Sequence, residues 1–271
     1  MSKNLSYGCE GLCAVISGGT SGIGLETARR LLADGARVYI LGRSTKRGAE
    51  ALRYLKEQTG AEALRYLKEQ TGAEAQYIAC DVSSQAQCQA ALAQVAEREG
   101  RELQVHILVN SAGVYKEQRL ENLTEEDFDA MLGVNVKGTL LLTQAALPYL
   151  RSGSCVVNIA SDAAVSGNYG CALYCASKGA VVAFTRALAL DLAPSVRVNC
   201  VCPADVDTPL LAKQLVDADG GYTLADMAAA YPLQRVATAG EVAHVVCSLA
   251  SPANSFMTGS VVTVDGGLTA G

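Results

Sequence analysis

Apolar and polar positions along this chain alternate between two periods. Seven short runs rich in Val, Ile, Leu and Cys stand out: Cys13–Ser17, Arg37–Leu41, Tyr77–Cys80, His106–Asn110, Cys155–Ile159, Arg197–Val201 and Val261–Val264. Runs of this kind, apolar without a polar face, predict strands covered on both sides, as in a parallel sheet. Between them lie segments with apolar residues at helical spacing. One is Ile23–Asp34, which stops at Gly35, and another is a long apolar helix from Tyr174 to about Leu192. Strands alternating with helices through right-handed crossovers predict an α/β fold with a doubly wound parallel sheet. No Pro- or Gly-rich linker divides the chain, so residues 1–271 are expected to form a single domain.

One segment departs from this rhythm. The dodecapeptide AEALRYLKEQTG occurs at 49–60 and again at 61–72. A single perfect copy is a duplication rather than a repeat architecture, which needs several units. Twelve residues turn a helix by roughly 120° net, so in an unbroken helix Leu64 and Leu67 would not share the face of Leu52 and Leu55. Gly60 and Gly72 offer places to stop. The expectation is therefore either a lengthened or broken helix projecting from the body, or one copy in place with the other looped out. In both cases it is peripheral to catalysis.

Composition narrows the partners. Half of the residues are hydrophobic and 18% are charged, which suits a packed core and not a disordered chain. The formal net charge of −5 disfavours nucleic acid and anionic membranes as partners. No stretch approaches the roughly 18–20 uninterrupted apolar residues of a membrane span. The segment Met1–Glu10 is polar and lacks the apolar core of an export signal. The ten cysteines fall singly, apart from the close neighbours Cys200 and Cys202, and His106 and His244 lie far from them in sequence. Such spacing is not that of a zinc site. Buried thiols acting as small hydrophobes are expected, no metal is, and a reducing cytoplasm fits.

The first strand runs into Ser17-Gly18-Gly19-Thr20-Ser21-Gly22-Ile23-Gly24, and a helix follows. Glycines 18, 22 and 24 permit a tight turn and close approach of backbone to a pyrophosphate, which the helix N-terminus attracts. This context, strand then glycines then helix, points to a dinucleotide site on a Rossmann-like sheet. An acid after the second strand would bind the ribose 2′-hydroxyl, whereas an arginine accommodates a 2′-phosphate. The sequence there reads Leu41-Gly42-Arg43-Ser44. Arg43 and Ser44 thus point to NADP(H), with NAD(H) as the alternative.

Tyr174 and Lys178 are four residues apart on one helix and so share a face. Free tyrosine has a pKa near 10. A neighbouring ammonium favours the phenolate and would fit Tyr174 for acid/base work. Ser161, at the end of the Cys155–Ile159 strand, supplies a hydroxyl able to polarise a carbonyl.

Five further stretches carry recognisable order: Asp81-Val82, Asn110-Ser111-Ala112-Gly113, Gly133-Val134-Asn135-Val136, Pro203-Ala204-Asp205-Val206-Asp207-Thr208, and Thr258-Gly259 with Val264-Asp265-Gly266-Gly267. Together with the glycine turn and Tyr174/Lys178, they make the chain resemble the short-chain dehydrogenases/reductases of compact single-domain type, over almost its whole length. The resemblance implies that Tyr174 exchanges the hydroxyl proton while hydride moves to or from the nicotinamide. It implies that Lys178 lowers the Tyr174 pKa and holds the nicotinamide ribose, and that Ser161 steadies the developing oxyanion. Asn135 would hold a water linking Lys178 to solvent. Asp81 and Val82 would meet adenine, while Asn110, Ala112 and Gly113 support the sheet beside it. Pro203, Val206 and Thr208 would cradle the nicotinamide. Three positions depart from the family pattern: Ser17 stands for Thr, Ser111 for Asn, and Ala204 for Gly. The last restricts φ > 0 in the nicotinamide loop. The duplication lengthens the stretch after Arg43, so a distorted 2′-phosphate pocket is a further expectation.

The same resemblance places a substrate lid at about 208–231. It contains Leu210, Leu211, Leu215, Tyr222, Leu224, Met227 and Tyr231 alongside Asp217, Asp219 and Asp226. With no basic cluster beyond Lys213, a secondary alcohol/ketone is expected over a carrier-bound acyl chain or a sugar phosphate. Hydroxysteroid, cyclic alcohol, sugar-derived and 3-oxoacyl substrates all stay open. A dinucleotide-sensing scaffold on the same fold is the competing class, and it would be expected to have lost one of Asn135, Ser161, Tyr174 or Lys178. The helix from Tyr174 to Leu192 carries Ala180, Val181, Val182, Phe184, Leu188 and Leu190 around most of its circumference, so a second subunit is expected to cover one side. The assembly would be a homotetramer, or a dimer through this helix.

Overall fold

The computed structural model describes residues 6–100, 103–217 and 223–270. Asp219 and Tyr222 of the expected lid, and the first five residues of the polar N-terminal segment, lie outside the described residues. Seven strands form one parallel sheet: β1 (Cys13–Ser17), β2 (Arg37–Gly42), β3 (Ala75–Ala79), β4 (Ile107–Asn110), β5 (Ser154–Ile159), β6 (Val196–Pro203) and, last in the chain, β9 (Val261–Val264). Their order is β3-β2-β1-β4-β5-β6-β9. The doubly wound sheet expected from the alternating pattern is therefore the one the chain forms. Strand boundaries agree within two residues or fewer. A two-stranded ribbon of β7 (Val206–Asp207) and β8 (Ala237–Thr238) is additional.

Helices cover both faces. They are α1 (Gly22–Ala33), α2 (Thr45–Thr59), α3 (Ala61–Thr71), α4 (Gln85–Glu99), α5 (Glu125–Leu132), α6 (Thr139–Ala146), α7 (Ala172–Leu192), α8 (Pro209–Asp217), α9 (Leu224–Ala229) and α10 (Ala239–Ala250). Side chains alternate across each strand, so one face takes Ala14, Ile16, Val38, Ile40, Ile107 and Val109 with Ala28, Leu31 and Val246. The other takes Val15, Tyr39, Leu41, Leu108 and Val156 with Leu92, Val95 and Leu142. Both faces being apolar explains why the strands read as continuous apolar runs. Ile16, Ile40, Leu41 and Leu108 are fully buried, each stabilising by roughly 1.5–3 kcal/mol. Nine of the ten cysteines are buried, Cys175 is half-buried, and all are free. Two helical runs, Glu125–Tyr149 and Ala172–Leu192, are long and apolar enough to cross a membrane by length and composition. In this fold α7 lays Leu173, Val181, Val182 and Ala189 inward as part of the core.

The duplication resolves into two helices. Gly60, at φ 82°, separates α2 from α3, and Gly72, in the left-handed region at φ 73°, ends α3. The first copy places Ala51 and Leu55 in the core, while the second has no buried residue. Its Leu64 and Leu67 only lean against the same cluster. Thr71 at the end of α3 comes close to Gly35 and Gly11, just before β2 and β1. The second copy thus ends beside the N-terminal ends of the strands.

The chain crosses back from β3 to β4 on the far side of β1. This reversal opens a crevice at the C-terminal ends of β1 and β4, where ligands of open α/β sheets bind.

Candidate active site

The glycine turn occupies one wall of that crevice. A Cβ at Gly18, where φ is +65°, would stand 2.8 Å from the Ala112 nitrogen and the Ser111 oxygen, and one at Gly24 would meet the Gly18 oxygen at 2.5 Å. The two loops and the first turn of α1 therefore close together only because side chains are missing. Ser17 Oγ accepts hydrogen bonds from the Ser111 and Ala112 amides at 3.1 and 3.2 Å, so the Thr-to-Ser departure keeps its tie to β4. Ser21 is extended at the helix start and makes no side-chain cap, so no side chain from it competes for the first amides of α1. Thr208 approaches Gly22 from across the cleft; a Cβ on Gly22 would lie 3.1 Å from its methyl. This cradle fits a dinucleotide pyrophosphate, and Thr20, Ser21, Ile23 and Thr208 stand around it.

Arg43 is exposed just past β2, and Ser44 caps α2 by accepting from the Arg47 amide at 3.3 Å. Burial alone would raise the Asp81 carboxyl. Hydrogen bonds from the Ser83 hydroxyl and amide, with the Arg43 charge added, hold it below its usual range. Val82 packs where a Cβ on Gly138 would stand at 2.6 Å. Asn110 is turned into the sheet: its Nδ2 donates to Thr143 Oγ1 at 2.9 Å and Asn158 Oδ1 at 2.8 Å. Asn158 donates onward to Thr185. This buried ladder, invisible in any one motif, braces β4 against β5 and α7. Pro203 ends β6, Val206 is buried, and Ala204 does not adopt positive φ; among the described non-glycine residues only Gln234 does. The loop after β6 is built without the glycine, so Ala204 carries no positive-φ strain there. The duplicated copy's end lies at the other end of the strands, and Ser44 serves as an ordinary N-cap of α2.

The opposite wall carries the chemistry. Asn135 sits in a π-helical turn, Gly133–Gly138, between α5 and α6, a distortion often found at functional sites. Its Oδ1 accepts from the Val114 amide at 2.8 Å, and its Nδ2 donates to the Val114 carbonyl and to Ser177 Oγ, both at 3.0 Å. Lys178 Nζ donates to the Ile159 carbonyl at 3.0 Å. A Cβ on Gly113 would lie 3.5 Å from both Lys178 Nζ and Asn135 Oδ1, which places the two side chains together. Burial pulls Lys178 down to about 8, partly opposed by the Cys200 and Cys202 thiols. Ser161, extended past β5, donates from Oγ to Asp162 Oδ1 at 2.7 Å and accepts from the Ala163 amide. It also lies near enough to the Tyr174 hydroxyl to lower that group's pKa. All four residues that sequence placed in the chemistry thus meet at one end of α7.

Tyr174 differs from expectation in its acidity. Burial raises its pKa, and Asp162 and Asp205 add to the rise, while Ser161 opposes it. Lys178 Nζ is 5.8 Å from the ring centroid and already bonded to Ile159, so in this geometry it does not pull the hydroxyl down.

Several neighbours were not recognised from sequence. The Tyr115 ring meets Tyr174 edge-on, centroids 4.8 Å apart, and its hydroxyl touches Cys171 Sγ at 3.2 Å and Gln214 Nε2 at 3.3 Å. Asp205 Oδ2 accepts from the Tyr231 hydroxyl at 2.6 Å. The only local signal was Asp162 following Ser161; the others come from segments far apart in the chain. In the lid, Leu211, Met227 and Tyr231 pack on one another with Leu215, Ala204 and Val236, while Leu210 and Leu224 are largely exposed. Asp226 caps α9 through Thr223. Among the described residues no three His, Cys, Asp or Glu side chains group as metal ligands.

Comparison with known proteins agrees with this arrangement. Residues 18–269 match a family model described as enoyl-(acyl carrier protein) reductase. The chain is 34% identical over 263 residues to the 3-oxoacyl-[acyl-carrier-protein] reductase FabG of Thermotoga maritima, covering 96% of this chain and 98% of that one. Among solved structures, a short-chain dehydrogenase/reductase described as glucose/ribitol dehydrogenase from Brucella melitensis superposes with TM-score 0.83 at 31% identity, covering 97% and 99% of the two chains. A short-chain dehydrogenase from Burkholderia cenocepacia in complex with NADP does so with TM-score 0.82 at 31% identity, covering 96% and 99%. The chain belongs to the short-chain dehydrogenase/reductase family and is an NAD(P)-dependent oxidoreductase.

Proposed function

We propose that this enzyme interconverts a secondary alcohol and a ketone with NADP(H), using Tyr174 as the acid/base. The observation that carries the reading is the meeting of Ser161, Tyr174, Lys178 and Asn135 at the mouth of the glycine-turn crevice. When bound, the nicotinamide supplies or accepts the hydride. Tyr174 gives its proton to the carbonyl oxygen in reduction and takes it back in oxidation. Ser161 Oγ becomes the second donor to that oxygen by turning its one proton from Asp162 Oδ1 onto it, an electrostatic role that favours the charge developing in the transition state. Lys178, tethered to the Ile159 carbonyl, holds positive charge near the nicotinamide ribose and replenishes the proton. Asn135 fixes the turn through which a water reaches Lys178.

NADP(H) is favoured because β2 is followed by Arg43 with no carboxylate, and because the NADP-bound neighbour shares the fold. The test is kcat/KM with NADPH and NADH on one ketone; a large preference for NADH would mean that Arg43 does not read a 2′-phosphate. The enzyme is proposed to work in the cytoplasm without nucleic acid or membrane partners. A homo-oligomer is proposed through the outer face of α7, where Ala172, Ala176, Ala183, Ala187 and Leu190 are exposed and the backbone can approach a second copy closely. Light scattering at micromolar concentration tests this, and a monomer would remove it.

A further inference from the structure

We infer that the substrate is a neutral polyhydroxylated alcohol or its ketone, of the sugar or polyol class, gripped by Asp162 and Asp205; this rests on the oxidoreductase reading of the same site. Asp162 is buried directly after Ser161, and Asp205 leads from β6 into the lid. Asp162 bonds the Ser161 hydroxyl directly and Asp205 is tied to Tyr231 by its amide and its carboxylate, and both charges act on the Tyr174 hydroxyl. One oxygen of each is occupied: Asp162 Oδ1 by Ser161 and Asp205 Oδ2 by Tyr231. Asp162 Oδ2 and Asp205 Oδ1 accept no hydrogen bond among the described residues, and neither side chain joins an ion pair there. A carboxylate can only accept hydrogen bonds, and one removed from water without donors is costly. These oxygens therefore call for donors on whatever fills the cleft.

The rest of the wall agrees. The apolar lid residues Leu211 and Met227 are buried in their own cluster with Tyr231, against which Leu215, Ala204 and Val236 pack. Facing Tyr174 instead is Tyr115, whose hydroxyl contacts Gln214. A steroid would strip water from Asp162 and Asp205 and return nothing. An anionic substrate would meet two like charges. An ammonium would need acceptors alone, whereas the Tyr174 hydroxyl gives a proton beside the two free carboxylate oxygens, so the wall offers a donor and acceptors together, which pair with hydroxyl groups.

The test is a matched series with NADP+: cyclohexanol, cis-1,2-cyclohexanediol, ribitol, a 3-hydroxysteroid, a 3-hydroxybutyryl thioester and 1-amino-2-propanol. The expected result is kcat/KM rising about 100-fold or more from the mono-alcohol to the polyol, because a site built around hydroxyls discriminates strongly against analogues that lack them. In Asp205→Asn and Asp205→Leu the ratio of polyol to mono-alcohol is expected to collapse, a readout internal to each variant that does not depend on how much of it folds. Preference for the mono-alcohol, steroid, thioester or amine, or an unchanged ratio in both variants, would overturn the inference and leave the oxidoreductase reading standing. Turnover of none of these compounds, or of their ketones with NADPH, would fall on that reading itself and remove both.

Discussion

Helix α7 and the duplicated pair α2–α3 show two ways in which one molecule uses helical sequence. In α7, successive inward residues each have a fixed partner: Ser177 bonds Asn135, Lys178 bonds Ile159, and Thr185 bonds Asn158. In the pair, the same twelve residues occur twice and meet different fates. Leu55 of the first copy is fully buried, while Leu67, its equivalent, is half-buried; Tyr54 donates to Glu26 at 2.5 Å, while Tyr66 is 63% exposed. Helix formation followed the local sequence in both copies, since each carries good helix formers and ends at a glycine. Burial did not, because the core beside α1 and β2 has room for one copy only. The difference teaches that local pattern specifies an element, and the surrounding fold decides whether it contributes stability, chemistry or neither.

Substitutions can sharpen this contrast, beginning with the largest effect. Ser161→Ala is expected to lower kcat by about 10²–10³-fold, the usual cost of losing an oxyanion donor, with a stability loss of about 1–3 kcal/mol from the donor taken away from Asp162. A fall in stability with normal kcat would reverse the assignment. Leu55→Ala should cost about 3 kcal/mol of stability in chemical denaturation, through the cavity it leaves, with kcat per folded molecule preserved. In ketone reduction Tyr174 and Lys178 both act protonated, and Lys178 at about 8 is the first to lose its proton as pH rises. The rate should therefore fall above about pH 8, roughly tenfold per unit, in a pH–rate profile. Replacing the exposed Lys56 or Lys68 of the two copies should leave that limb in place. Leu67→Ala should cost about 1 kcal/mol or less, and deleting residues 61–72, which joins Gly60 to Ala73, should leave kcat/KM within about twofold. If Leu67→Ala matched Leu55→Ala, the two copies would be equivalent after all.

What sequence disclosed and what it withheld follow the same division. The strands were legible because both sheet faces are apolar, and the glycine turn because close approach at Gly18 and Gly24 leaves no room for a side chain. Tyr174 and Lys178 were legible because four residues on a helix set their geometry locally. The π turn at Asn135 was not, since its bonds to Val114 and Ser177 join distant segments. Nor was the polar wall of Tyr115, Asp162, Asp205 and Gln214, which four separate stretches contribute. The raised pKa of Tyr174 was missed for a related reason: the i, i+4 spacing promised proximity to Lys178, but Lys178 is drawn to the Ile159 carbonyl while burial and the two aspartate charges act on the hydroxyl.

The most direct test of the central claim is Tyr174→Phe, measured both by turnover and by NADPH binding in calorimetry. The account predicts a loss of kcat of about 10²–10⁴-fold with the NADPH dissociation constant nearly unchanged, since the missing hydroxyl acts on the substrate's proton. Near-normal turnover in that variant would contradict it and remove Tyr174 from the chemistry.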